Sequence, residues 1–260
     1  MSGGLQAVGL CRRFGRFTAL HDLSLHVEPG EVVGLLGPNG AGKTTAFRLI
    51  AGLLRPHAGE VRLDDVDVTR WPLWRRARAG LGYLPQQSTL FRRLTVAANI
   101  EVALRHLPAD ERRARRAAML DEFGLGALSA AKGATLSGGE RRRVEIVRAL
   151  AAAPKVLLVD EPFAGLDPRS AAGVAAHLRA LTPRGVGVLL TDHDVRQALE
   201  VCDRIYILAD GTLLRAGTAG AVAADAEVRA RYLGEGFSTR SADRRSSELD
   251  WPRPPQRDES

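Results

Sequence analysis

Apolar residues are arranged along this chain in two rhythms. Unbroken runs of strand length, Val156-Leu157-Leu158-Val159 and Val188-Leu189-Leu190-Thr191, predict strands buried on both faces in the middle of a parallel sheet. Residues 31–36 read the same way, and Gly37 to Gly42 break that run before a helix over about 43–52. At 20–27 apolar Leu23, Leu25 and Val27 alternate with polar residues, predicting a half-buried strand, with other strands at 5–11, 61–63 and 82–84. The segment 96–123 has a helical period and is rich in Ala and Arg, and a further helix is expected at about 138–152. Pro168 at the first helical position and Asp167 before it predict a helix over 168–181. Strands at 205–208 and 212–215 flank Asp210-Gly211, a two-residue hairpin turn. Strands alternating with helices define an α/β fold with a mostly parallel sheet, interrupted by a helical insertion at roughly 87–153.

Composition changes this picture little. With 45% hydrophobic and 26% charged residues in 260, the chain has ordinary globular proportions. No apolar run approaches the roughly 18 residues of a spanning helix, and the first ten residues lack a basic-then-apolar leader, so a cytoplasmic location is expected. Cys11 and Cys202 lie far apart without metal-spaced neighbours and read as small packing residues. The net charge of +7 and the pI near 10.2 raise nucleic acid and acidic membranes as partners. The positive charge is almost all arginine, however, which reads as compositional bias, and no nucleic-acid partner is expected. From Ser238 onward the chain is polar and proline-bearing, and a disordered tail is expected over 238–260.

The chemistry concentrates in a few motifs. Gly37-Pro38-Asn39-Gly40-Ala41-Gly42-Lys43-Thr44 fits the phosphate-loop pattern between a buried strand and a helix. Glycines let backbone N–H groups wrap a phosphate at a helix N-terminus, Lys43 neutralises the β- and γ-phosphates, and the Thr44 hydroxyl ligates Mg²⁺. Thr45 adjoins the same site. The run 156–159 carries Asp160 to a strand end, where a carboxylate holds Mg²⁺; Glu161, one residue on, is placed to activate an attacking water. The expected cofactors are therefore ATP and Mg²⁺. In Leu136-Ser137-Gly138-Gly139-Glu140, Ser137 and Glu140 have capping-box spacing, and the two glycines expose N–H groups at a helix start as a second anion site.

Together these motifs, in this order, resemble the ATP-binding domains of ABC transporters over most of the chain, about 1–237. The resemblance implies a P-loop core with a mostly parallel sheet, an antiparallel β subdomain and a helical subdomain. It also implies a head-to-tail homodimer in which the phosphate loop of one copy and the signature loop of the other enclose each ATP. On it, Phe14 corresponds to the aromatic that stacks on adenine, Gln86 to the Q-loop glutamine that senses Mg²⁺ and partner, Asp167 to the D-loop, and His193 to the switch histidine at the γ-phosphate. The other five histidines read as surface residues. Most of the family has Gln where Glu140 stands, and a carboxylate there is expected to repel the phosphate.

Glu140 is found in some bacterial branches, one being the lipopolysaccharide-export ATPases. The segments around Gly82-Tyr83-Leu84-Pro85-Gln86, Leu90-Phe91-Arg92-Arg93-Leu94 and Thr191-Asp192-His193-Asp194 resemble that branch as well. It implies two integral inner-membrane partners docked in a groove near Gln86, Phe91 and Arg92, with the chain peripheral on the cytoplasmic face. The runner-up is an importer ATPase for branched-chain amino acids. A cassette acting on ribosomes or DNA is opposed by the single copy of each motif, and a catalytically dead module by intact Lys43, Asp160, Glu161 and His193.

Overall fold

A computed structural model describes residues 3–233, so the expected tail lies outside the described residues. Two sheets build the protein. The first is antiparallel, in the order β2 (Phe17–Val27), β1 (Leu5–Phe14), β4 (Ala58–Leu63) and β5 (Val66–Asp67). The second runs β10 (Thr212–Thr218), β9 (Arg204–Ala209), β3 (Val32–Leu36), β8 (Gly187–Asp192), β7 (Val156–Asp160) and β6 (Leu81–Leu84). Its strands from β9 to β6 are parallel, and only β10 is antiparallel, on the hairpin turn where Asp210 (φ 47°) and Gly211 (φ 75°) both adopt left-handed backbone.

The continuous apolar runs are explained by the two cores. Along β7, Leu157 and Val159 point into the core shared with the helices, whereas Val156 and Leu158 point into the core shared with the antiparallel sheet. β8 divides in the same way, with Val188 and Leu190 on one side and Leu189 on the other. Helix α1 (Lys43–Ala51) buries Phe47, Leu49 and Ile50 in the second core. Register brings the strand ends level, with Leu36 beside Asp192 and Asp160 beside Thr191.

Several expectations are corrected. Residues 96–123 form two helices, α3 (Val96–Ala103) and α4 (Ala109–Glu122), because Pro108 bars its predecessor from helical backbone and lacks the N–H an interior position needs. A six-residue helix, α2 (Leu73–Arg78), was not anticipated. Arg76 is fully buried and fixes it, donating to the carbonyls of Leu49 (2.9 Å), Ile50 (2.5 Å), Thr69 (2.9 Å) and Trp71 (3.0 Å). Burial lowers the Arg76 pKa to about 10. Two histidines are not surface residues: His26 is half-buried against Arg204 and Tyr206, and His177 packs on Phe123 at 5.3 Å. Arg112 and Arg116 pair with Glu101. Cys202 is buried as expected, while Cys11 is only half-buried.

Candidate active site at the strand ends

The phosphate loop runs from Gly37 to α1, and its shape depends on glycine at two points. At Gly37 (φ 148°) a Cβ would lie 2.1 Å from the Leu208 carbonyl oxygen, and at Gly42 (φ 103°) 2.6 Å from that of Ala19. Pro38, Asn39 and Gly40 are exposed at the tip, and Ala41 is buried beneath it. The hairpin turn braces the loop, since the Gly211 N–H donates to the Ala41 carbonyl at 3.1 Å. Lys43 is 6% exposed and donates to the carbonyls of Gly37 (2.7 Å) and Pro38 (2.9 Å). Burial lowers its pKa, opposed by Glu161, Asp192 and Asp160. Thr44 is exposed and Thr45 half-buried at the start of α1.

Those three carboxylates sit at the ends of β7 and β8. Asp160 is 5% exposed and accepts from the Thr191 hydroxyl at 2.6 Å. Glu161 leaves the strand in left-handed backbone (φ 44°), a conformation unusual for a residue with a side chain. Its N–H donates to the Thr191 hydroxyl at 3.1 Å, which fixes where the side chain emerges. The Glu161 carboxylate accepts from Gln86 Nε2 at 2.7 Å and lies 3.8 Å from His193 Nδ1. His193 is about half exposed and also 3.6 Å from Asp192. Asp192, which sequence reading did not single out, accepts from the Asp194 N–H at 2.9 Å, and its other oxygen is buried without a partner. Burial raises its pKa. Its signal was available, since Asp192 closes one buried run as Asp160 closes the other.

Behind this cluster lies a buried ion pair that sequence reading also missed. Arg142 and Glu145, on α5 (Gly138–Leu150), are 3.3 Å apart. Arg142 donates to the carbonyls of Asp160 (2.9 Å) and Pro85 (3.2 Å), the residues just before Glu161 and Gln86. Glu145 accepts from the Ser88 hydroxyl and, at 3.2 Å, from the Thr89 N–H. Arg148 continues the chain, donating to the Thr89 carbonyl at 2.6 Å and stacking on the Phe91 ring at 4.8 Å.

The signature segment forms a separate cluster. Ser137 caps α5, with its hydroxyl accepting from the Glu140 N–H (3.3 Å) while the Glu140 carboxylate accepts from the Ser137 N–H (2.8 Å). Those bonds lower the Glu140 pKa, the backbone bond most. Gly138 and Gly139 follow in the first turn of the helix. A Cβ on Gly139 would lie 2.6 Å from Ser170 Oγ, and Ser170 donates to Asp167 at 2.5 Å, where Asp167 caps α6 (Pro168–Arg179). Among the described residues, no hydrogen bond joins this cluster to the phosphate loop. Phe14 is 45% exposed at the end of β1, under the Arg12 guanidinium at 4.9 Å, so it is no core aromatic. Phe91 and Arg92 are exposed; an open groove of about 510 Å³ begins just beyond them, between Leu94, Ala98 and Val102 of the α3 segment and Arg112 of α4. Gln86 faces Glu161, not that groove.

A phosphate loop and strand-end carboxylates on a parallel sheet define an ATP-hydrolysing cassette, and comparison with known proteins agrees. The ABC transporter family model matches residues 20–164, more than half of the chain, which therefore belongs to that family. The chain is 50% identical over 239 residues to the lipopolysaccharide export system ATP-binding protein LptB of Acidithiobacillus ferridurans, covering 91% of this chain and 99% of that one. It is 47% identical to the LptB of Escherichia coli K12, over 90% and 98% of the two chains. Among solved structures, a nucleotide-free cassette from an ABC transporter superposes with a TM-score of 0.81 at 27% identity, covering 90% of this chain and all of that one. A dimeric cassette bound to ADP and phosphate gives 0.72 at 29% identity, over 83% and 98%.

Proposed function

We propose that the chain powers lipopolysaccharide export, as a homodimer on the cytoplasmic face of the inner membrane joined to two integral membrane subunits. The single observation that carries the ATPase part is the Glu161 carboxylate, held in left-handed backbone at a strand end, bonded to Gln86 and close to His193. Relatives named LptB at 45–50% identity favour export over amino-acid import.

In this reading Lys43 exchanges its two loop carbonyls for phosphate oxygens, and the first-turn N–H groups of α1 complete the cradle. The charge balance suits a divalent cation, because the fields of three carboxylates, Asp160, Glu161 and Asp192, reach the ammonium of Lys43. Thr44, Asp160 and Gln86 would hold it, in keeping with the habit of Mg²⁺ of taking one or two carboxylates plus substrate phosphates. When bound, Mg²⁺ neutralises charge on the β- and γ-phosphates. Glu161 takes the proton of the attacking water, and His193 contacts the γ-phosphate. Phe14 stacks on adenine, a contact worth about 1–3 kcal/mol by analogy with base stacking. Ser137, Gly138, Gly139, Glu140 and Asp167 serve the site of the other copy. The membrane subunits dock by Phe91 and Arg92, from which Arg148, Glu145 and Arg142 lead back to Gln86 and Glu161.

Glu161→Gln should keep nucleotide affinity and lower turnover by about 10²–10⁴-fold, the usual worth of a general base. Undiminished hydrolysis by the purified variant would sink the assignment. Lys43→Ala should weaken nucleotide binding itself, measured by calorimetry; unchanged affinity would count against the phosphate-loop reading.

A further inference from the structure

Away from the nucleotide loop, α2 presents a face that the ATPase chemistry does not use. Leu73, Arg76 and Ala79 turn inward, and Arg76 ties the helix to the C-terminal end of α1 through the Leu49 and Ile50 carbonyls. Because α1 starts at the phosphate loop and rises about 1.5 Å per residue, this face sits roughly 12 Å along the helix from that loop. The opposite side carries exposed Trp74, Arg75 and Arg78, while Trp71, just before the helix, is half-buried against the core beside Leu73 and Ala79. Trp74 is 61% exposed. Arg75 lies over the Trp71 ring at 3.9 Å and Arg78 over the Trp74 ring at 5.3 Å. Exposed Leu53 and Arg70 adjoin Trp71 around one shallow concavity.

The charges on this face are one-sided. Among the described residues, neither Arg75 nor Arg78 forms an ion pair, and Asp67, the carboxylate whose field reaches Arg70, is held by Thr69. Indole rings with apolar bodies and a polar N–H are suited to the headgroup level of a bilayer. Guanidinium groups match phosphate oxygens and resist dehydration less than ammonium groups do. Stacking each arginine on a tryptophan pre-orients both, and leaves the guanidinium edges free for an anion. A protein groove would supply matching carboxylates and a shape; a bilayer needs only apolar depth and phosphate, which is what this exposed, basic, aromatic face complements.

We propose that the Trp74, Arg75 and Arg78 face binds the surface of a membrane containing acidic phospholipid. This contact is made by the chain itself, in addition to its docking on membrane proteins, and does not depend on nucleotide.

The test uses the full chain without nucleotide and vesicles of phosphatidylcholine with or without one quarter phosphatidylglycerol. Sedimentation should recover the protein with the anionic vesicles and not with the neutral ones, with a blue shift of tryptophan emission. High salt should release it. At about fivefold per arginine, Arg75→Ala with Arg78→Ala should lower the partition coefficient about 25-fold. Trp74→Ala should weaken binding and remove most of the blue shift, whereas Arg75→Lys with Arg78→Lys should retain much of the charge-driven binding. Soluble ATP hydrolysis by all these variants should match the parent, which separates failure of this proposal from failure of the ATPase reading. Equal binding to both vesicle types, or equal binding by the parent and the double alanine variant, would overturn it. So would a double variant that still binds vesicles but no longer co-purifies with membrane proteins, since the face would then be a protein interface.

Discussion

Replacing Glu145 by alanine tests whether the buried pair on α5 organises the site. The Arg142 and Glu145 side chains are 7% and 3% exposed, and Arg142 Nε already lacks a partner. Burial lowers the Arg142 pKa, and Glu145 is the largest influence opposing that. Without Glu145 the guanidinium keeps only the carbonyls of Pro85 and Asp160, while the Ser88 hydroxyl and the Thr89 N–H lose their acceptor. Breaking a buried pair on one side costs about 3–5 kcal/mol, mostly because a charge stays buried and uncompensated. At about 2–4 °C per kcal/mol for a protein of this size, Tm should fall by roughly 6–20 °C. Arg142→Met combined with Glu145→Ala removes both charges, so its cost should be well below the sum of the two single losses. Urea denaturation of the four proteins gives the cycle. A single Glu145→Ala loss under about 1 kcal/mol, or additive single losses, would refute the claim that these side chains act as a pair.

Two pH-dependent outcomes follow from the carboxylates. Glu140 has a lowered pKa in the folded protein, so its contribution is present above the unfolded value near 4.5 and is lost as pH falls through the folded value. Glu140→Gln should therefore cost less than about 1 kcal/mol at pH 7 and nothing in strong acid; a loss that persists unchanged at low pH would contradict this. Asp192 is opposite in sign: its raised pKa means the folded state binds the proton more tightly, so its contribution to stability falls as pH rises through the folded value. Asp192→Asn, which keeps an oxygen for the Asp194 N–H, should gain stability over the parent from low pH to neutrality, and parallel denaturation curves would disprove it.

What could be read in the sequence was local. The phosphate loop, the Asp160-Glu161 pair and the Ser137 cap each depend on neighbours a few residues apart, and pattern alone places them. The break at Pro108 was equally local, but helical periodicity resumes after it, which hides a five-residue interruption. Helix α2 was invisible for another reason. Its anchor is the set of carbonyls bonded by Arg76, two of them on distant α1, and an arginine among arginines gives no sign that it is buried. The same holds for Arg142 within Arg141-Arg142-Arg143. All three look like a solvated face, and only packing against Pro85 and Asp160 selects the middle one. Asp192 had a local signal in closing its buried run, but that β3 and β7 flank β8 in register, bringing it level with Asp160, is a tertiary fact.

The expected conflict at Glu140, a carboxylate facing the phosphate of a bound nucleotide, is weakened by the geometry of the cap. Both donors of Ser137 point at Glu140 Oε2, the N–H at 2.8 Å and the hydroxyl at 2.8 Å, so the negative charge is turned back onto the start of its own helix. Charge-assisted bonds of this kind are about twice as strong as neutral ones, so the side chain is held away from outward-facing positions. The same cap satisfies the Glu140 N–H through Ser137 Oγ, and the Arg141 N–H is already bonded to the Ser137 carbonyl. That leaves the N–H groups of Gly138 and Gly139, which at the first positions of a helix have no intrahelical acceptor. An anion approaching this segment therefore meets main-chain donors and the positive end of α5, with the carboxylate already neutralised in part behind them. Glycine at both positions keeps those donors uncovered, and at Gly139 it also admits Ser170 of α6, which any Cβ would displace from its bond to Asp167. In the proposed dimer, glutamate in place of glutamine is thus compatible with anion binding, because recognition would fall to the backbone of the two glycines.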